Sequence, residues 1–210
     1  ARLASTGTTE PPLGVYAWVE NFDDIEWRVA NEGIDRLTID LETVGLDPFA
    51  ERARILTLAI TDAEGRSAVY RVPPKGKVPK ALLAQLRRLL CGPVKVQGAN
   101  LKYDLLWMAV HWDLTGINHT FDTHLVGSLL DENRSNSLET HAKVYTTMGG
   151  YDTAFNRAHD KDAMDAALEA DPAGFLTYSG GDTDACHRVA TVQRRRLTQD
   201  RRLTRFYTRI

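Results

Sequence analysis

Asp40 and Glu42 stand two residues apart where the alternating run Ile34 to Leu41 ends. In a β-strand, side chains at i and i+2 leave the same face, so these two carboxylates project together. Paired carboxylates repel, and a hard divalent cation resolves the repulsion because Mg²⁺ and Mn²⁺ take oxygen ligands. A solvated strand end is the other use of such a pair. Asp104 closes the run Asn100-Leu101-Lys102-Tyr103-Asp104, which opens a helix over 101–112. There it sits in the first turn, where a carboxylate suits the helix dipole, and capping alone would also account for it. Tyr178 and Asp182 are four apart inside the last long helix and share a face of it. Gly180 and Gly181 between them each cost a helix about 1 kcal/mol. Close approach of another backbone or a ligand would keep them; a frayed or kinked helix is the alternative. Asp184, two residues on, reads as a solvated charge.

The elements around these residues follow from pattern and punctuation. Strands are expected at 34–41, 54–61 and 67–72, the last two joined as a hairpin by the turn Asp62 to Gly65. Pro73, Pro74 and Gly76 break the pattern. Leu82, Leu83, Leu86, Leu89 and Leu90 share one face of a helix over 79–90, which Gly92-Pro93 stops. Val94 to Gln97 is a short strand. Helices follow at 101–112, 122–130 and 137–146, the last with Asn136 and Glu139 at capping-box spacing. Residues 147–160 read as a loop. Asp171 and Pro172 serve as N-cap and first residue of a helix running to about 196. A hairpin feeding a helix and a further strand, with helices late, indicates an α/β layer fold.

The chain has 210 residues, 43% hydrophobic and 26% charged, with a formal net charge of -2. This composition excludes a disordered, collagen-like or disulfide-stapled chain. Whole-chain charge gives no sign of a nucleic-acid binder, but the average hides an asymmetry. Residues 187–210 carry eight Arg and one acid, Asp200, a balance of +7, which leaves -9 for 1–186. The basic tail fits a nucleic-acid contact, a docking surface for a following domain or a solvated helix face. Cys91 and Cys186, far apart, are expected to be reduced thiols in a cytoplasmic protein, with one disulfide between them as the alternative. No apolar run reaches the ~18 residues of a membrane span. The six His residues lie at no zinc spacing with the cysteines. His111 and His124 read as packing or surface residues. No nucleophile elbow or phosphate-binding Gly-rich loop is present, so acyl transfer and ATP hydrolysis have no support. The chain begins Ala-Arg-Leu without Met and is expected to be a processed or excised piece.

Asp-x-Glu at 40–42, Asn-x-x-Tyr-Asp at 100–104 and Tyr-x-x-x-Asp at 178–182, in this order, resemble the DEDD superfamily of 3′–5′ exonucleases. The resemblance is to its Tyr-containing branch: the His branch has His five residues before the last Asp, where this chain has Thr177. It extends to the proofreading domain of family A, polymerase I-like DNA polymerases. Asn100 to Asp104 matches that family's second motif in full, and Phe121-Asp122-Thr123 and a helix containing Ser137-Leu138 fit its plan. It spans roughly residues 34–210. Gly180-Gly181 and the weakly matching 147–170 depart from the pattern.

The resemblance implies a ribonuclease H-like mixed sheet flanked by helices. Residues 1–14, ending in Glu10-Pro11-Pro12-Leu13-Gly14, read by composition as a flexible lead-in, and the resemblance implies an exonuclease domain over 15–196 and the start of a linker toward a polymerase domain at 197–210. It also implies two divalent metal ions, Mg²⁺ or Mn²⁺. Asp40, Glu42 and Asp182 hold one, and Asp40 bridges to a second that Asp104 supports directly or through water. Tyr178 orients the attacking water; a phenol with an ordinary pKa near 10 is a donor at neutral pH. Thr43, Leu46, Asn100 and Tyr103 are placed by the same resemblance near the terminal nucleotide. Leu46 is either an apolar wedge on the terminal base or core, Tyr103 a contact or core, and Arg134 a phosphate contact or a solvated charge. The implied activity is removal of nucleoside monophosphates from single-stranded DNA 3′ ends by a monomer. Ribonuclease D-like trimming of RNA and a catalytically silent interaction module are the competing readings.

Overall fold

The computed structural model describes residues 14–74 and 77–209. The expected flexible lead-in therefore falls, except for Gly14, outside the described residues. Six strands form one mixed sheet: β1 (Tyr16–Val19), β2 (Arg36–Val44), β3 (Arg54–Thr61), β4 (Ser67–Arg71), β5 (Lys95–Gly98) and β6 (His119–Asp122), in the order β1-β4-β3-β2-β5-β6. The β2-β3-β4 meander is antiparallel, and β1, β5 and β6 add to it in parallel. This is the expected α/β fold. The helices are α1 (Asp23–Asn31), α2 (Lys80–Leu90), α3 (Leu101–Trp112), α4 (Thr123–Leu130), α5 (Leu138–Tyr145), α6 (Thr153–Ala158), α7 (Met164–Ala170), α8 (Pro172–Leu197) and α9 (Arg201–Tyr207). A 3₁₀ turn, Lys161–Ala163, precedes α7.

The two faces of the sheet differ in chemistry, and β2 shows why. Leu37, Ile39 and Leu41 alternate into the main core, where they meet Ile25 of α1, Leu86 and Leu90 of α2, and Trp107 and Met108 of α3. Each such side chain, fully buried, contributes about 1.5–3 kcal/mol. Thr38, Asp40 and Glu42 leave the opposite face, which α8 crosses. That face is polar and closely packed. Thr61 Oγ1 donates to Thr183 Oγ1 at 2.6 Å, Ser67 Oγ donates to the Gly180 carbonyl at 3.0 Å, and Thr57 meets Ser179 at 3.3 Å. Buried hydroxyls paired in this way avoid the cost of lost hydration.

Gly180 and Gly181 neither fray nor kink α8, which runs unbroken. A Cβ on Gly180 would lie 2.8 Å from Cγ of Tyr16, and one on Gly181 would lie 3.0 Å from Cδ2 of Tyr151. The glycines admit two tyrosine rings.

Several elements differ from the sequence expectation. The first expected strand is the second along the chain, after β1, and it continues to Val44, so Asp40 and Glu42 lie within it. The cap of α5 is Ser137, whose side chain accepts from the Thr140 N–H, so Asn136 is not the capping residue. Asn136 instead donates to the His124 carbonyl at 2.6 Å. Within 147–160, read as a loop, residues 153–158 form α6, held by buried Phe155. Asp171 caps α8 as expected, accepting from the Gly174 N–H at 2.9 Å. Residues 201–207, at the expected start of a linker, form α9. Its Leu203 and Tyr207 pack on Phe121, Val126, Ala190 and Leu197.

Candidate active site

Asp40 and Glu42 stand opposite Ala59 and Thr57 of β3, and a β-bulge follows Glu42. Between them, Leu41 turns its N–H away from β3. Strand β5 pairs with β2 only at Arg36 to Thr38, so no strand reaches that N–H. Asp104 of α3 takes it instead, accepting at 3.0 Å through Oδ1. The carboxylate placed by spacing in the first turn of α3 is therefore pinned to the backbone between the other two acids. From the other side α8 brings in Asp182. Ligand oxygens of Asp40, Glu42 and Asp182 lie within 4.8 Å of one another, and Asp104 stands beside this trio.

The site carries more negative charge than its surroundings compensate. Burial, reinforced by the neighbouring carboxylates, raises Asp40 and Glu42 well above the usual carboxylate range. Burial pushes Asp104 up to about 8 and Asp182 up to about 7, the latter in spite of a hydrogen bond from Tyr151. An all-oxygen donor set with excess charge, gathered to one point, fits hard divalent cations.

Tyr178 lies one helical turn before Asp182. Its ring stacks on Phe155, with centroids 4.5 Å apart, and meets Phe175 edge-on. The charge of Asp182, then burial, raises its pKa, so the hydroxyl keeps its proton and remains a donor. Phe155 and Met164, on opposite sides of the 3₁₀ turn, belong to the same cluster, so the weakly patterned stretch builds the wall that holds Tyr178.

A cleft of about 390 Å³ opens over Glu42 and Tyr178. Thr43, Leu46, Asn100 and Tyr103 all line it. The Tyr103 and Thr43 hydroxyls are 2.6 Å apart, and Tyr103 donates to the Gly45 carbonyl at 3.1 Å. Asn100 holds a left-handed backbone at φ 55°, fixed by Asp122, which accepts from the N–H groups of Asn100 and Leu101. Leu46 is 86% exposed, which removes its reading as core. Arg134 is not brought to the cleft; it pairs with Asp131 at 3.0 Å.

Three residues were missed or misread in the sequence. Tyr151 donates to Asp182, and the only sequence signal for it is Gly181, which marks a close approach without naming the partner. Lys161 lines the cleft from a turn that no periodicity announces. Asp184 is not a solvated charge. It is fully buried and accepts from the Gly14 N–H, the Tyr16 hydroxyl and Arg188. The basic tail is partly spent inside the fold: Arg188 on Asp184, Arg194 on Phe121 and Gln97, and Arg196 over Tyr145. Cys91 and Cys186 are free thiols. Among the described residues no helix is long and apolar enough to cross a membrane.

The 3′–5′ exonuclease family model DNA_pol_A_exo1 matches residues 20–197. No curated protein matches the chain. Among solved structures, Brucella melitensis NrnC with bound Mg²⁺ is 21% identical with a TM-score of 0.57, over 91% of this chain and 84% of that one. The catalytic core of RRP6 from Trypanosoma brucei is 15% identical with a TM-score of 0.67, over 95% of this chain and 54% of that one. Trypanosoma brucei RNase D in complex with RNA U12 is 14% identical with a TM-score of 0.63, over 86% and 62%.

Proposed function

Since the chain belongs to the 3′–5′ exonuclease family, we propose that it trims single-stranded DNA 3′ ends to nucleoside 5′-monophosphates, as a proofreading activity beside a polymerase domain. The observation that carries this reading is the convergence of Asp40, Glu42 and Asp182, with Asp104 and the protonated Tyr178 beside them, next to a cleft that Glu42 and Tyr178 line. The matched family model, named for the exonuclease of family A polymerases, supports the DNA substrate. On this reading residues 15–196 are the exonuclease domain, and 197–210 lead toward the polymerase.

In the reaction a water oxygen bonds to the terminal phosphorus, the bond from phosphorus to the 3′-oxygen breaks, and that oxygen leaves with a proton. Two divalent cations, when bound, neutralise the phosphate and lower the pKa of water. Asp40, Glu42 and Asp182 are the residues that would hold them, with Asp104 in support. Tyr178 keeps its proton on Oη and orients the water. On this reading Leu46, exposed at the rim of the cleft, packs on the terminal base, and Thr43, Asn100 and Tyr103 contact its sugar.

A second reading is trimming of RNA. It is favoured by the RNA U12 bound to the similar RNase D and by the pGG bound to NrnC. Both readings are tested by incubating the protein with 5′-labelled single-stranded DNA and RNA oligonucleotides in Mg²⁺ or Mn²⁺. Ladders shortened from the 3′ end are expected on DNA, with release of nucleoside 5′-monophosphate and loss of activity in Asp40→Ala. Faster RNA shortening would favour the second reading, and no shortening of either polymer would leave an interaction module.

A further inference from the structure

Among the described residues, Lys161 is the one basic residue that lines the cleft. Its position is set by the backbone around it. The Ala163 N–H donates to the Asp160 carbonyl at 3.0 Å, and the Asp160 side chain accepts from the Asp162 N–H at 3.0 Å. The next residue, Met164, is buried in the cluster on which Tyr178 packs. The turn is thereby tied to the same wall as Tyr178.

The Lys161 side chain is exposed and makes no ion pair or hydrogen bond among the described residues. Its charge nevertheless reaches Glu42 and Asp182 in the site, and Glu139 outside it, favouring the ionised form of each. An ammonium that faces ionisable carboxylates without docking on one is free to receive an anion between itself and them. The cleft is large enough for a nucleotide, and a compact, mobile point charge suits a phosphate.

We infer that Lys161 binds the phosphate of the 3′-terminal nucleotide, donating to a non-bridging oxygen and opposing the charge that grows there as water adds. This rests on the nuclease reading above and deepens it. Lys161 meets the phosphate from the side opposite the carboxylates and holds no cation itself.

The test uses a thymidylate dinucleotide, its phosphorothioate analogue, and the variants Lys161→Gln and Lys161→Arg. Lys161→Gln is expected to bind the phosphorothioate at least 10-fold more weakly and to lose 10- to 100-fold in kcat/KM. Lys161→Arg, which keeps the charge, is expected to recover most of both. Titration with Mn²⁺ alone separates this role from one in the cation site. Removing a positive charge beside carboxylates leaves Mn²⁺ affinity unchanged or tighter, so weaker Mn²⁺ binding in Lys161→Gln overturns the proposal. So does unchanged phosphorothioate affinity, or an Lys161→Arg variant no better than Lys161→Gln. A lower melting temperature with unchanged dinucleotide affinity would assign the lysine to calming the carboxylates only. Wild-type turnover of the dinucleotide is the control: its absence overturns the nuclease reading, whereas turnover that Lys161→Gln leaves intact overturns only the role of the lysine.

Discussion

Tyr151 donates a hydrogen bond from its phenol to the carboxylate of Asp182, and its ring lies close against Gly181, where a Cβ would come within 3.0 Å of it. The ring is largely buried, and burial, then the charge of Asp182, raises the phenol well above its ordinary range. The group is therefore a fixed donor. It occupies one lone pair of Asp182, whose carboxylate lies within 4.8 Å of those of Asp40 and Glu42.

Tyr151→Phe removes this donor and keeps the ring. Outer partners of metal-binding side chains are worth about 10–100-fold in metal affinity or activity when lost. A loss of that size in Mn²⁺ affinity, measured by calorimetry without substrate, is the expected outcome, with the melting temperature little changed. Unchanged affinity would mean that Asp182 is oriented by α8 alone.

The carboxylates were legible in the sequence because each sits in an element with a strong local signature. Asp40 and Glu42 follow an alternating run, Asp104 opens a helix whose bounds match the expected 101–112, and Asp182 lies in a helix announced by Asp171-Pro172. What was illegible depends on contacts distant in sequence. β1 is four residues long and exists by pairing in parallel with β4, about fifty residues on. β6 is equally short and lies against β5. Tyr151 and Lys161 sit between helices too short to show a period, and only the packing of Phe155 and Met164 under Tyr178 brings them to the site. Asp184 was misread because two residues along a helix is a different face, and nothing local reveals that this face meets β1.

Gly180 offers a test of sign. Alanine is a better helix former than glycine by about 1 kcal/mol, so a free helix would gain stability from Gly180→Ala. Here the new Cβ would meet Tyr16 at its Cβ, 3.0 Å away, as well as at Cγ, close to the backbone of β1 where little can yield. Overpacking of this kind costs about 1–3 kcal/mol. Net destabilisation is expected in urea unfolding; a gain would show that β1 detaches from α8 at small cost.

Asp184 and Asp182 are two residues apart with opposite duties, and Asp184→Asn separates them. The Asp184 side chain is fully buried, and its partner Arg188 is 11% exposed. Neutralising one member of a buried pair leaves the other charge uncompensated, at about 3–5 kcal/mol. The amide also cannot accept at both ends from Gly14, Tyr16 and Arg188. A large fall in stability with Mn²⁺ affinity retained in the folded fraction is the expected pair of results. Loss of Mn²⁺ affinity at full stability would place Asp184 in the site.

The pH dependence of the metal-free protein follows from the raised carboxylates. Unfolded, Asp104 and Asp182 titrate near 4; folded, they titrate at about 8 and about 7. Between those limits the folded protein holds protons that the unfolded chain has released. Stability from these groups is therefore fully present below about pH 4 and is lost as pH rises through 7 and 8. In EDTA the melting temperature is expected to be lower at pH 8.5 than at pH 5.5 by on the order of 10 °C, given about 2–4 °C per kcal/mol for a chain of this size. Asp104→Asn, which cannot ionise, should flatten that slope. Mg²⁺ should reverse it, because the cation binds the deprotonated carboxylates and binds them better as pH rises. A melting temperature independent of pH in EDTA would mean that the carboxylates are already ionised at pH 5.5, and that the excess charge inferred at this cleft is neutralised without a cation.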